Sequence, residues 1–148
     1  MIVISFPPHD FRMRTSDGKE QVFDEFRRQW VRLTPEEWVR QNILQYLVQV
    51  LQYPPTLIAV EKEIRLGDIK KRFDILVYHK AKPWMIIECK EMNVPLSETV
   101  LSQVLNYNRA LETDFIIITN GNHTAGFAVC NGKAEALSAL PAYPATAN

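Results

Sequence analysis

The chain has 148 residues, 47% hydrophobic and 23% charged, which is the composition of an ordinary globular domain with one core. The 17 basic and 17 acidic side chains cancel and argue against a polycationic nucleic-acid binder, although residues 61–90 carry eight Lys or Arg against five Asp or Glu. Two cysteines outside any CxxC motif, and a first segment without signal-peptide features, lead us to expect a reduced, cytoplasmic protein.

The N-terminal part of the chain is predicted to form a β-hairpin over residues 11–23. Asp17-Gly18 is a favoured two-residue hairpin turn, because both of its central positions need positive φ. Residues 24–33, with Phe26 and Trp30 among arginines, look like a short amphipathic piece that leads into the rest of the chain.

The first long helix is predicted to begin after Thr34. Thr34 is a good N-cap, Pro35 suits the first helical turn, and Glu37 occupies the capping-box position. Apolar residues then recur at helical spacing until Pro54-Pro55 ends the pattern. These residues are Val39, Ile43, Leu44, Leu47, Val48 and Leu51.

Strands and a second helix account for the remaining pattern. Three strand-like segments come first, followed by a helix with one apolar side, a fourth strand and a short further strand. The continuous apolar run over residues 84–87 indicates a central strand covered on both sides. The predicted ranges, in chain order, are residues 57–65, 72–78, 84–89, 97–111, 115–119 and 127–130.

This order of elements predicts an α/β fold in which helices cover a central sheet. We expect one domain over residues 1–148. Its predicted parts are an N-terminal hairpin and lead-in (1–33), a core (34–143) and a loose tail (144–148).

Two carboxylates, Asp74 and Glu88, lie on consecutive predicted strands. If the connection turns around Ala81, paired residue numbers sum to 162 and Asp74 stands directly across from Glu88. Side chains so placed are about 5 Å apart at Cβ, so the two carboxylates repel each other unless a partner holds them. A divalent cation is one such partner, and ligands that are all oxygens point to Mg²⁺ or Mn²⁺ rather than zinc.

Lys90 lies two residues after Glu88, which on a strand places both side chains on one face. Two acidic ligands and an ammonium group are the parts that phosphodiester hydrolysis requires. The alternative is a half-exposed hairpin whose surface charges pair with Lys90. The functional interpretation is favoured because the Glu-x-Lys motif ends one apolar strand and Asp74 precedes another apolar run.

Further candidates come from the two helices. Gln103 and Tyr107 are four residues apart and share a helix face, which either leans over the carboxylates or is simply a solvated polar face. Glu36 and Glu37, at the start of the first helix, offer a third acidic metal ligand. Between them we favour Glu37, although it also has a capping role.

The segments Arg72-Phe73-Asp74-Ile75-Leu76-Val77 and Ile86-Ile87-Glu88-Cys89-Lys90, with the downstream Gln103 and Tyr107, resemble the PD-(D/E)xK nuclease superfamily. More narrowly, residues 33–41 and 118–121 resemble a stand-alone bacterial branch of the N-terminal domain of type I restriction enzyme R subunits, over about residues 6–143.

This resemblance implies a restriction-endonuclease-like αβββαβ core with a mixed central sheet, preceded by the hairpin. It implies that Asp74 and Glu88 bind metal, that Lys90 is catalytic, and that Gln103 and Tyr107 form the motif of RecB-like nucleases. Phe73 stands where the superfamily name has proline, at a position that varies.

The sequence thus predicts a nuclease that hydrolyses DNA with Mg²⁺ or Mn²⁺. A non-catalytic DNA-binding or protein-interaction module with the same fold is the alternative, and a protein partner that supplies targeting or motor activity is a further expectation. Basic residues just before the site are predicted to contact the phosphate backbone. They are Arg65, Lys70, Lys71 and Arg72. No aromatic–basic stripe is visible along the chain, which argues against tight DNA binding by this domain alone.

Overall fold

The N-terminal residues form a three-stranded antiparallel sheet in the computed structural model, which describes residues 1–145. Its strands are β1 (Met13–Ser16), β2 (Lys19–Asp24) and β3 (Gln29–Arg32). Asp17 and Gly18 join β1 to β2 with φ values of 52° and 73°, which confirms the predicted hairpin turn. Residues 24–33, predicted to be a short amphipathic segment, instead form a turn followed by β3. The cross-strand pair of Trp30 and Phe23 stabilises this strand.

The first long helix, α1 (Pro35–Gln45), continues as one π-helical segment over Tyr46–Val50. Thr34 is the N-cap, and its hydroxyl accepts a hydrogen bond from the Glu37 N–H at 3.0 Å, as the capping pattern predicted. The apolar stripe of α1 is buried against the larger sheet. Its fully or almost fully buried members are Val39, Ile43 and Leu44, and Leu47 of the π-helical segment continues it.

The larger sheet has six strands, which lie side by side in their order along the chain. They are β4 (Ile58–Leu66), β5 (Ile69–His79), β6 (Lys82–Cys89), β7 (Phe115–Thr119), β8 (Thr124–Cys130) and β9 (Lys133–Ala136). The helix α2 (Glu98–Asn108) connects β6 to β7, which is the one parallel pair among the described strands. The predicted mixed α/β fold is therefore confirmed. The edge strand β9 was not predicted, because all four of its residues are exposed and its only apolar residues are two alanines.

The hairpin of β5 and β6 has the predicted register near its open end and a different turn at its closed end. Ile75 pairs with Ile87, so paired numbers sum to 162 there. The turn consists of Lys80 and Ala81, both with positive φ, and a bulge beside Val77 restores the register. The turn shifts the register by one residue and the bulge shifts it back. The predicted register around Asp74 and Glu88 is therefore kept.

Both faces of β6 are covered, which confirms the prediction of a central strand. Ile87 and Cys89 face the α1 side with Ile75, whereas Ile86 belongs to the α2 side with Val104. Cys89, between Glu88 and Lys90, is 1% exposed and belongs to the core. No helix within residues 1–145 has the length and apolar character needed to cross a membrane.

The residues after β9 return to the sheet. The Tyr143 hydroxyl donates to the Tyr78 carbonyl at 2.8 Å, and the Tyr53 hydroxyl donates to the Pro141 carbonyl. Of the predicted loose tail, residues 146–148 lie outside the described residues.

Candidate functional site

The candidate site begins where the ladder between β5 and β6 ends. Ile75 and Ile87 are the last paired residues, and beyond them the Cys89 N–H donates to Asp74 Oδ2 at 2.8 Å. The Asp74 side chain thus takes the place of a strand carbonyl as acceptor. The charge of Asp74 also raises the pKa of Glu88, which places the two carboxyl groups near each other. The structure therefore brings together the two carboxylates that the register placed opposite each other.

The carboxylates of Asp74 and Glu88 are short of positive partners. Burial raises the pKa of Glu88 to about 7, and the neighbouring charge of Asp74 acts in the same direction. Burial also raises the pKa of Asp74, although the Cys89 N–H and Arg40 oppose this shift. Two partly buried acids that hold their protons more tightly than usual make a place where added positive charge is stabilised.

Lys90 supplies part of that charge. Its backbone N–H donates to the Thr119 carbonyl at 2.8 Å, so the chain continues beside β7 just past the end of β6. Its Nζ lies 3.7 Å from Glu88 Oε1, and 34% of the side chain remains exposed. The two-residue spacing thus gives Lys90 and Glu88 a shared face, as predicted, with the ammonium group accessible to a ligand.

Gln103 and Tyr107 of α2 line the same cavity as Glu88 and Lys90, with a volume of about 520 Å³. Val104 and Asn108 belong to its wall as well, and Asp74 does not. Tyr107 is held in place by Lys71, whose Nζ donates to the Tyr107 carbonyl at 2.7 Å and lies 4.4 Å from the ring centroid. The structure thus brings together Glu88, Lys90, Gln103 and Tyr107.

The predicted role of Glu37 as a metal ligand disagrees with the structure. Its carboxylate accepts hydrogen bonds from Arg27 and Arg40 at 2.7 Å each on Oε1, while Oε2 is held by Arg40 at 2.9 Å and by Gln41 at 3.2 Å. A carboxylate saturated in this way is not free to bind a cation. The pKa of the exposed neighbour Glu36 is raised by partial burial and then by the charge of Asp74, which indicates that Glu36 lies near the site.

Arg40 is a site residue that the sequence analysis missed. It is 6% exposed, and besides Glu37 its guanidinium contacts Glu61 and lies 3.4 Å from Asp74 Oδ1. Arg27 extends this chain of ion pairs to the buried Asp24 of β2. The available signal was an arginine within the apolar stripe of α1, where a buried charge requires a paired partner.

The basic residues predicted to contact DNA lie together on β4 and β5, with different surroundings. Arg72 is near Glu61 and Glu63, and Lys70 is 3.9 Å from Glu63. Lys71 is engaged with Tyr107, as described above, whereas Arg65 is exposed. Arg65 and the weakly paired Lys70 and Arg72 therefore remain available to a phosphate group. Their contact with DNA stays a prediction.

A divalent cation fits the donor set of this site. Within residues 1–145, no three His, Cys, Asp or Glu side chains converge on one metal position. Mg²⁺, however, commonly binds through one or two carboxylates and keeps several waters. Asp74 and Glu88 provide that pair, and their raised pKa values indicate that positive charge is lacking there.

The fold is a mixed sheet with a helix on each side. Its central strand leads into the Glu-x-Lys motif, beside an aspartate of the adjacent strand. These features define a restriction-endonuclease-like domain. The chain belongs to the family described as type I restriction enzyme R protein N terminus, whose model matches residues 35–141. The N-terminal sheet precedes the matched residues. No curated protein and no solved structure gives a significant match.

Proposed function

We propose that this restriction-enzyme nuclease-like domain hydrolyses phosphodiester bonds of DNA in the presence of Mg²⁺ or Mn²⁺. The observation that carries the proposal is the pair of partly buried carboxylates, Asp74 and Glu88, with the Lys90 ammonium group 3.7 Å from Glu88. Membership of the restriction-enzyme R family supports the choice of DNA as substrate.

In this proposal Asp74 and Glu88 hold the cation, and Glu36 adds negative charge from the start of α1. When bound, a divalent cation polarises the phosphate and lowers the pKa of an attached water. Arg40 keeps Asp74 oriented through the contact between its guanidinium and Oδ1. Of the acidic residues predicted to serve the metal, only Glu37 loses its role in this proposal, and Glu36 takes its place.

Lys90 is the proposed catalytic cation of the protein itself. Its exposed ammonium group can stabilise the negative charge that develops on the phosphate, or orient the attacking water. Gln103 and Tyr107 line the cavity that contains Lys90, and we propose that they position the DNA strand. A protein partner that supplies targeting or a motor belongs to the proposal as well, since the family is that of a restriction-enzyme subunit.

A non-catalytic module is the second candidate. It is favoured by the ion pair that Lys90 already makes with Glu88, and by the lack of a third convergent ligand within residues 1–145. In that case the pair has a structural role and the cavity binds without cleaving.

A cleavage assay separates the two candidates. The purified chain is incubated with supercoiled plasmid and with linear duplex, in Mg²⁺, in Mn²⁺ and in EDTA. We expect metal-dependent cleavage that falls by about 10²–10³-fold or more in Asp74→Asn, Glu88→Gln and Lys90→Ala. Lys133→Ala, an exposed lysine of β9, is the matched control for Lys90→Ala and should retain full activity. Equal activity of the wild type and Lys90→Ala would identify a contaminating nuclease and favour the non-catalytic module.

A further inference from the structure

The N-terminal sheet has one outward face on which basic and aromatic side chains meet. Because side chains alternate along strands, the register Arg14–Gln21–Arg32 places these three on one face, and the pair Phe23–Trp30 lies beside them. The opposite face is turned inward, since Val22 and Asp24 of β2 are fully buried. We call the outward set the basic–aromatic face. It consists of Arg12, Arg14, Lys19, Gln21, Phe23, Trp30 and Arg32.

Two arginines of the basic–aromatic face, Arg12 and Arg14, lie over aromatic rings. The Arg14 guanidinium lies 4.3 Å from the Trp30 ring centroid, and its Nε donates to Gln21 Oε1 at 2.7 Å. The Arg12 guanidinium lies 4.7 Å from the Phe23 centroid and 5.5 Å from that of Trp30. These cation–π contacts restrain the two guanidinium groups and leave some of their N–H donors free for another partner.

The charge of this face is not neutralised by the protein. Among residues 1–145, no carboxylate lies within ion-pairing distance of Arg12, Arg14 or Arg32. Arg27 and Arg40, by contrast, are each paired with acidic residues. Three arginines without acidic partners on one exposed face form a surface that is complementary to a polyanion.

We propose that the basic–aromatic face binds the phosphate backbone of DNA. Restrained guanidinium groups suit phosphate oxygens, and contacts of this kind hold a nucleic acid without reading its sequence. The choice of DNA rests on the proposed nuclease function. The face lies before residues 35–141, so it is an addition to the region that the family model matches.

The same sheet is tied to the candidate site through ion pairs. Arg27, in the turn between β2 and β3, joins Asp24 to Glu37 of α1, the helix that also carries Glu36. DNA that binds the basic–aromatic face would therefore be bound by the N-terminal sheet, which is fixed by these ion pairs to α1, the helix beside the site. No aromatic–basic stripe is visible along the sequence because strand pairing assembles this face from residues that are up to 20 positions apart.

Binding without cleavage tests this inference. The parent is the Lys90→Ala chain in EDTA, and the probe is a fluorescently labelled 20-base-pair duplex followed by anisotropy at several salt concentrations. The test variant adds Arg12→Gln, Arg14→Gln and Arg32→Gln, all of them exposed. The matched control adds Lys82→Gln, Arg109→Gln and Lys133→Gln, which remove the same charge from exposed positions elsewhere. Thermal melting confirms that both variants are folded.

We expect the test variant to bind the duplex at least about tenfold more weakly, with a salt slope reduced by about 0.9 for each lost phosphate contact. The control should change affinity less than about threefold. Unchanged affinity and slope in the test variant, or stronger binding of the parent to polyglutamate than to the duplex, would overturn the proposal. Cleavage plays no part in this assay. If the test variant loses DNA binding and the wild type does not cleave DNA, the proposed binding face is supported and the proposed nuclease function is contradicted.

Discussion

Glu37 and Glu88 are partly or fully buried glutamates of the same domain, and their surroundings give them opposite properties. Burial acts to raise the pKa of Glu37, but hydrogen bonds from Arg40 and Arg27 outweigh it and lower that pKa. At Glu88, burial and the charge of Asp74 both raise the pKa, to about 7, and Lys90 offsets only part of the effect.

The contrast separates a structural carboxylate from one that we propose to be functional. Glu37 has two guanidinium partners and holds α1 to the N-terminal sheet. Glu88 has another carboxylate as its neighbour, and Lys90 offsets only part of the repulsion, so an added proton or cation is stabilised there. The two residue types are identical, and only the partners that the fold supplies distinguish their roles.

The largest expected effect on stability follows from breaking the Glu37 network. Glu37→Ala leaves the guanidinium groups of Arg27 and Arg40 buried without their shared partner, which should cost about 3–5 kcal/mol of unfolding free energy. Urea denaturation at pH 7 measures this loss. Glu36→Ala, one residue earlier on the same helix, is the matched control and should cost less than about 1 kcal/mol. Similar losses in both variants would show that the network does not stabilise the fold.

Removing the charge of Glu88 should have the opposite sign. A carboxyl whose pKa is raised in the folded state stabilises the fold fully below about pH 4.5, and this contribution is lost as pH rises through about 7. In EDTA, Glu88→Gln should therefore be more stable than the wild type at pH 8, by about 1–3 kcal/mol, since one pKa unit corresponds to about 1.4 kcal/mol.

Urea denaturation at pH 5, 6.5 and 8 measures this gain, which should grow with pH. Glu63→Gln, an exposed glutamate on β4, serves as the control and should show no such growth. A Glu88→Gln variant that is less stable than the wild type at pH 8 would indicate a structural glutamate like Glu37.

Much of this contrast was accessible from the sequence, because local rules decide those parts. The Thr34 cap predicted the start of α1, the apolar run predicted β6 as a central strand, and the register of 162 placed Asp74 beside Glu88. The choice between Glu36 and Glu37 was not accessible in this way. It depends on Arg27, which arrives from the turn between β2 and β3 and occupies Glu37.

The basic–aromatic face escaped the sequence analysis for a similar reason. Its residues alternate with inward-facing ones on three short strands, so no continuous stripe exists in the sequence. β9 was missed because its four residues are exposed and pair only through their backbone.

The smallest expected effect concerns Gln103. Its side chain is exposed on α2 and lines the cavity that contains Glu88 and Lys90. Gln103→Ala should therefore lower the cleavage rate by about tenfold or less, against about 10²–10³-fold for Lys90→Ala. Single-turnover cleavage in Mg²⁺ measures both rates. Ser102→Ala, the exposed neighbour on the same helix, is the control, and a Gln103→Ala loss as large as that of Lys90→Ala would contradict a merely positioning role.

The central claim is that Asp74 and Glu88 form a site for a divalent cation, and calorimetric titration with Mn²⁺ at pH 8 tests it without any contribution from a contaminating nuclease. We predict that the wild type binds Mn²⁺ with one ion per chain, and that Glu88→Gln binds it at least about tenfold more weakly, because one of the two charged ligands is lost. Glu63→Gln should bind as the wild type does. A wild type that shows no Mn²⁺ binding, or a Glu88→Gln variant that binds it equally well, would contradict the claim.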